Sequence, residues 1–186
     1  MLPRRVAGGS YALREPDPGD VDALLPIKND PEIAALLAGT THAWSRSDLL
    51  DWVAHHRTAP NEAFFVIADD TDRAVGHAAL YRIDTSAGSA EFGILLGDKS
   101  VWGKGIGSQV TRSVIDYGFE TLGLRRIYLE VLETNERAKR VYEKLGFRVE
   151  GRLRQHQFKD GKPIDVVVMG LLRDEYRPVA QEPAPA

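Results

Sequence analysis

Cysteine is absent from the chain. Its absence excludes a thiol nucleophile, a cysteine-ligated metal and a disulfide framework. Long apolar runs are absent too: nothing approaches the roughly 18 consecutive apolar residues of a membrane span. The opening MLPRRVAGGS carries two arginines but no apolar stretch to make a signal peptide, so a cytoplasmic protein is expected. Nor is there a strong excess of one charge. Lys and Arg number 24 against 27 Asp and Glu, a net charge of −3, which argues against general nucleic-acid binding and favours a cationic partner. The basic and aromatic stripe of a single-strand binder is missing. No internal repeat is found. At 186 residues the chain is expected to form one domain. Residues 1–10 are expected to be a flexible N-terminus, 11–176 the folded unit, and the Pro/Ala-rich 177–186 a mobile tail.

What the chain does contain is a regular alternation of patterns. YALREPDPGD reads as a short strand and turn, and Val21, Leu24, Leu25 and Ile27 then recur with helical spacing. Asn29 or Asp30 can cap a second helix with Pro31 in its first turn and Gly39 at its end. Ser45 or Ser47 opens a third through RSDLLDWVAHHR. Strands are predicted in AFFVIADD, AVGHAALYRID, SAEFGILLGD and RRIYLEVL, with Asp69-Asp70 in a turn. Helices are predicted from Ile106 to Thr121 and in NERAKRVYEKLGF, stopping at Gly146, and the last segment is a hairpin turning at Asp160-Gly161. Strands alternating with helices and ending in a hairpin predict a mixed α/β sheet.

Between one strand and one helix, Gly103, Gly105 and Gly107 fall at every second position. Glycine costs about 1 kcal/mol of helix stability relative to alanine, so three at a helix entrance suggest a backbone that a ligand must approach closely. Unpaired amides and the positive end of the helix dipole suit a phosphate there. A tight strand-to-helix turn has the same pattern, and the residues alone leave both readings open. The ATPase loop is excluded because Gly103-Lys104 is followed by Gly105 where Ser or Thr is required. The dinucleotide motif is excluded by its different glycine spacing and by the late position in the chain.

Three ordered blocks carry a more specific signal: AEFGILLGDKSVWGKGIGSQV, RRIYLEVLETNERAKRVYEKLGF and EGRLRQHQFKDGKPIDVVVMGLL. With them the chain, from about Ala12 to Tyr176, resembles the GNAT superfamily of acetyl-CoA-dependent N-acetyltransferases. It is most similar to the branch of ribosomal-protein N-terminal, spermidine and amino-sugar acetyltransferases. The resemblance implies an α/β (α+β) single-domain fold, a mixed central sheet of about seven strands flanked by helices. The superfamily turn reads Gln/Arg-x-x-Gly-x-Gly/Ala, and here Trp102 stands in the first position. That departure removes one side-chain contact and leaves the backbone cradle.

The resemblance implies that the amides of Gly103, Lys104, Gly105, Ile106, Gly107 and Ser108 hold the pyrophosphate of acetyl-CoA, with Trp102 in the same cofactor site. Ile94, Leu95 and Leu96 would pair with the pantetheine arm, and Asn135, Ala138 and Tyr142 would complete the cofactor site. Read alone, Ile94 to Leu96 are core positions, Asn135 is a helix cap, and Tyr142 is a ring on an amphipathic helix. By the resemblance Tyr142 is also the general acid that protonates the departing thiolate. Glu91 is the candidate base for the attacking amine, against a solvated strand-edge role. Glu130, Glu133, His77 and His156 are its rivals. Gly93 either exposes an amide near the carbonyl oxygen or marks a bulge. No metal site is expected: adjacent His55 and His56 should point to different helix faces, and His42 lacks a partner at a recognisable spacing.

The expected reaction is direct attack of a primary amine on acetyl-CoA. The acceptor is a small amine, polyamine or amino sugar, or alternatively a protein N-terminus, with no nucleic acid or membrane partner. A non-catalytic coenzyme-A-binding sensor is the reading from a different class. A homodimer through the apolar strand DVVVMGLL is also expected.

Overall fold

The computed structural model describes residues 4–5, 11–39 and 42–177. In chain order these form β1 (Arg4–Arg5), β2 (Ala12–Arg14), α1 (Val21–Lys28), α2 (Pro31–Leu36), α3 (Arg46–Thr58), β3 (Ala63–Ala68), β4 (Ala74–Asp84) and β5 (Ser89–Leu96). There follow α4 (Ile106–Asp116), β6 (Arg126–Leu132), α5 (Glu136–Lys144), β7 (Arg148–Lys159) and β8 (Lys162–Leu172). The helix starts follow from local chemistry. Asp30 accepts the amides of Glu32 and Ile33, Ser45 and Asp48 form a reciprocal capping box, and Asn135 accepts the Ala138 amide. The fourth helix reaches Thr121 as its pattern predicts, but after Asp116 it widens from α into a π turn over Tyr117–Thr121, with the Leu122 amide on the Tyr117 carbonyl.

The strands form one sheet in the order β1-β2-β3-β4-β5-β6-β8-β7. Seven of them have three residues or more, and the two-residue β1 lies beside Ala12 and Leu13. The rest of 1–10, and 178–186, lie outside the described residues. Neighbours are antiparallel except β5 and β6. The apolar strand DVVVMGLL proves to be β8, paired along both edges by β6 and β7. Both of its edges are taken, so the expected edge-on pairing of this strand with a second copy has no edge to use; the exposed edge on this side of the sheet belongs to β7.

Alternation along the strands divides two cores. Phe64 and Val66 face α1 and α3, packing with Leu24, Leu49 and Val53. Phe65 and Ile67 share the opposite core with Val110, Val114 and Ile115 of α4 and Tyr142 and Leu145 of α5. Leu24, Leu49, Ile115 and Leu129 are at most 1% exposed, and truncating such a residue to alanine costs about 2–5 kcal/mol. The β7–β8 hairpin turns at Asp160 and Gly161, both with positive φ (49° and 75°) as a two-residue hairpin turn demands. Next to the turn, Lys159 Nζ donates to the carbonyls of Ala34 (3.2 Å) and Gly39 (2.8 Å). The hairpin tip is thereby fastened to α2 and the loop after it.

Candidate active site

A wedge opens in the middle of the sheet. β5 and β6 pair in parallel only from Ser89–Arg126 to Glu91–Tyr128. Beyond that point β5 continues along β4 as far as Leu96, while β6 continues along β8 as far as Leu132. The facing edges of Phe92–Leu96 and Leu129–Leu132 are therefore released from each other. A slender amide-bearing chain can insert there and pair as a strand would. Ile94, Leu95 and Leu96 lie on this edge. Leu95 is buried, and Ile94 and Leu96 pack against the core, so packing by side chains coexists with a free backbone edge.

At the wide end of the wedge the chain passes through the glycine turn into α4. Gly103 and Gly105 have φ of 81° and 85°, the left-handed region, and Gly105 is the N-cap, with no side-chain hydrogen bond to the helix amides. A Cβ built at Gly103, Gly105 or Gly107 meets nothing within 4 Å. These glycines border open space that three methyl groups would fill, and the amides of Ile106, Gly107 and Ser108 begin the helix beside it. Lys104 is exposed in the same turn. The fit to a pyrophosphate is one of shape and of polarity. Trp102 donates its indole N–H to the Leu96 carbonyl at 3.0 Å and lies 4.7 Å beneath the Arg137 guanidinium.

Two further groups flank the narrow end. Tyr142 is buried, edge-to-face with Phe92 at 6.2 Å and with Phe147 at 5.8 Å. Burial raises its phenol above the ordinary value. Its hydroxyl makes no hydrogen bond among the described residues, leaving a proton donor aimed at no protein partner. Glu91 stands on the opposite face of the sheet, across from Tyr81 in β4 and Tyr128 in β6. It occupies an interior strand and its side chain is 21% exposed, bonded to Arg82 at 2.9 Å. Desolvation raises its carboxyl, Arg82 opposes that rise, and Glu130 adds to it. Gly93 marks no bulge: the register with Ala79 is regular, and a Cβ there would come within 3.0 Å of the Tyr81 ring.

Comparison with known proteins gives this geometry a family. The model for the acetyltransferase (GNAT) domain matches residues 11–148. The chain is a GNAT acetyltransferase. It is 33% identical to an uncharacterized N-acetyltransferase p20 of Bacillus licheniformis over 168 residues, 88% of this chain and 93% of that protein. It is 35% identical to spermidine N(1)-acetyltransferase of Escherichia coli K12 over 130 residues, 70% of this chain and 67% of the relative. The crystal structure of spermidine N-acetyltransferase from Vibrio cholerae with CoA and spermine superposes with a TM-score of 0.82 at 29% identity, covering 90% of this chain and 98% of that one. The GNAT fold binds acetyl-CoA, and this GNAT enzyme has a wedge and glycine cradle that fit it. No helix among the described residues is long and apolar enough to cross a membrane.

The remaining site residues of this GNAT acetyltransferase have mixed placements. Asn135 is a cap, its Oδ1 accepting the Ala138 amide at 3.1 Å, and it is also a bridge, its Nδ2 donating to the Leu36 carbonyl at 3.1 Å. Glu133 is paired with Arg152, and His156 is exposed on β7. His77 is buried, with Nε2 3.0 Å from Lys28 Nζ and an unpartnered, fully buried Nδ1. The Lys28 ammonium lies 4.0 Å over the Trp52 ring. Desolvation lowers Lys28 to about 8. The expectation that His55 and His56 diverge is corrected: their rings are 5.1 Å apart, and with Glu62 they bring three possible ligand atoms within 4.8 Å of one another. The end of α3 and the start of β3 bring them together, which helical spacing alone does not reveal. Within that trio, His56 Nδ1 is already 2.5 Å from Glu62 Oε2. Asp69 is turn chemistry as expected, accepting the Thr71 and Arg73 amides. Arg137, Lys28, Lys99 and Lys159 escaped the sequence reading because each acts through a partner distant in the chain.

Proposed function

We propose that this N-acetyltransferase acts on a small primary amine, a polyamine or an amino sugar, within a catalytic unit spanning residues 11–176. The tethering of α2 carries this reading. Lys99 ties the start of α2 through Asp30 (2.8 Å) and Glu32 (2.5 Å), while Asn135 and Lys159 hold its C-terminal carbonyls. A polypeptide acceptor needs a groove open at both ends, and α2 is anchored to the cofactor loop, to α5 and to the hairpin tip. The spermidine acetyltransferase relatives support the polyamine. The amino sugar is favoured by neutralisation of the helical carboxylates, since Asp22 is paired with Arg46 and Asp30 and Glu32 with Lys99.

In this reading Gly103 to Ser108 cradle the pyrophosphate, with Trp102 closing the turn, and the edge from Ile94 to Leu96 pairs with the pantetheine arm. Asn135 and Ala138 border that arm. Glu91 accepts the proton lost by the amine, directly or through one water, as the nitrogen bonds to the acetyl carbon. The carbon–sulfur bond breaks, and the Tyr142 hydroxyl donates its proton to the leaving thiolate. The test is coenzyme A release from acetyl-CoA with spermidine, aminoglycosides, nucleotide-linked amino sugars, amino acids and short free-N-terminal peptides. Saturable release with a small amine is expected. Saturation by peptides alone would transfer the assignment to protein N-termini, and tight acetyl-CoA binding without release to any acceptor would favour a sensor.

A further inference from the structure

We propose that Arg137 binds a phosphate group of coenzyme A, with Trp102 as the platform that positions it. The proposal rests on the acetyl-CoA reading of the wedge and adds a cation that the glycine turn itself does not specify. Arg137 is exposed in the first turn of α5, and its guanidinium lies 4.7 Å over the Trp102 indole, immediately before the turn at Gly103. The indole is itself fixed, donating to the Leu96 carbonyl at 3.0 Å. A planar cation on a fixed ring is held in one orientation with its N–H edges still available.

Among the described residues nothing uses those donors. The adjacent carboxylate, Glu136, is taken by Lys139, and Arg137 makes no salt bridge among the described residues. Near a helix N-terminus a cation also opposes the dipole, so local helix stability gives no reason for an arginine here. A bound phosphate supplies one. Guanidinium-to-phosphate pairing is two-pronged and charge-assisted, and it restores the side-chain contact that Trp102 removes from the turn. The tryptophan thus exchanges a contact from its own side chain for one from α5.

The test is calorimetric titration of the full chain with coenzyme A and with 3′-dephospho-coenzyme A, for the parent, Arg137→Ala, Arg137→Lys and Trp102→Leu. Arg137→Ala is expected to weaken coenzyme A binding roughly tenfold, the scale of a charge-assisted contact. It should also flatten the salt dependence of binding and leave the melting temperature unchanged. Arg137→Lys should recover part of the loss, and Trp102→Leu should reproduce it with the charge still present. A penalty that persists with the dephospho compound assigns the contact to the pyrophosphate, and one that vanishes assigns it to the 3′-phosphate. Parent-like affinity and salt dependence in Arg137→Ala would overturn the proposal while leaving the cofactor reading intact. Failure of the parent to bind coenzyme A would instead overturn that reading.

Discussion

Replacing Gly107 with alanine separates ligand geometry from folding, because the two effects have opposite signs. Gly107 is the second residue of α4, without the positive φ of Gly103 and Gly105, and a Cβ added there meets nothing within 4 Å. Alanine therefore brings no clash and no backbone strain, and the helix gains about 0.5–1 kcal/mol. For a domain of this size each kcal/mol moves the melting temperature by about 2–4 °C, so a rise of about 1–4 °C is expected. The same methyl group occupies the space in which a pyrophosphate would meet the helix amides, and coenzyme A affinity should fall about tenfold or more, about 1.4 kcal/mol. Thermal melting and calorimetric titration on one preparation measure both. Unchanged affinity would refute the cradle, and a lower melting temperature would refute the helix arithmetic. Gly105→Ala is the complement: its φ of 85° costs alanine about 1–2 kcal/mol, so stability and affinity should fall together.

Tyr142→Phe should lower kcat at least tenfold with little change in acetyl-CoA affinity; undiminished turnover would remove Tyr142 as the acid. For Glu91, whose carboxyl is raised mainly by desolvation, the acid limb of kcat/KM should lie above the ordinary glutamate value, and Glu91→Gln should abolish it. Burying this carboxyl also favours its protonated form, so its contribution to stability is present below the unfolded value and lost as pH rises through the folded one. Urea midpoints of Glu91→Gln should fall less across that window; identical slopes would refute the desolvation argument. Lys28 has the opposite sense. Its ammonium is lowered to about 8 from 10.5, so the unfolded chain holds more proton between those values and stability should rise with pH there. The Trp52 face favours the charged form and moderates the slope. Lys28→Met should remove the rise, and parallel parent and variant curves would exclude Lys28 as its source.

The elements were legible wherever one local signal governed them. β4 spans the predicted AVGHAALYRID, Ser45 and Asp30 cap the helices they were expected to cap, and Asp160-Gly161 turns the final hairpin. Each depends on residues a few positions apart. The glycine turn was legible as a place where something approaches the backbone, while its open side became definite only when the space around three absent Cβ atoms was seen. The pattern of Ile106–Thr121 gave the helix its length but not its change of type, because apolar spacing does not distinguish an α turn from a π turn.

Sequence by itself determined the strand and helix order, because propensity, capping and periodicity are properties of neighbouring residues, and its three ordered blocks named the groups able to do acyl-transfer chemistry through their resemblance to GNAT enzymes. Tertiary structure alone decided which groups meet. β8 is apolar like an edge awaiting a partner, yet β6 and β7 enclose it. Glu91 could have been a solvated carboxylate, but an interior strand between Tyr81 and Tyr128 half-buries it and moves its titration. Arg137 became a candidate ligand only when the fold laid it on Trp102, and Asn135 and Lys159 became clasps only when α2 was brought beneath them. Such contacts join residues far apart in the chain, and their strength depends on distance and solvent exposure, which residue order does not encode.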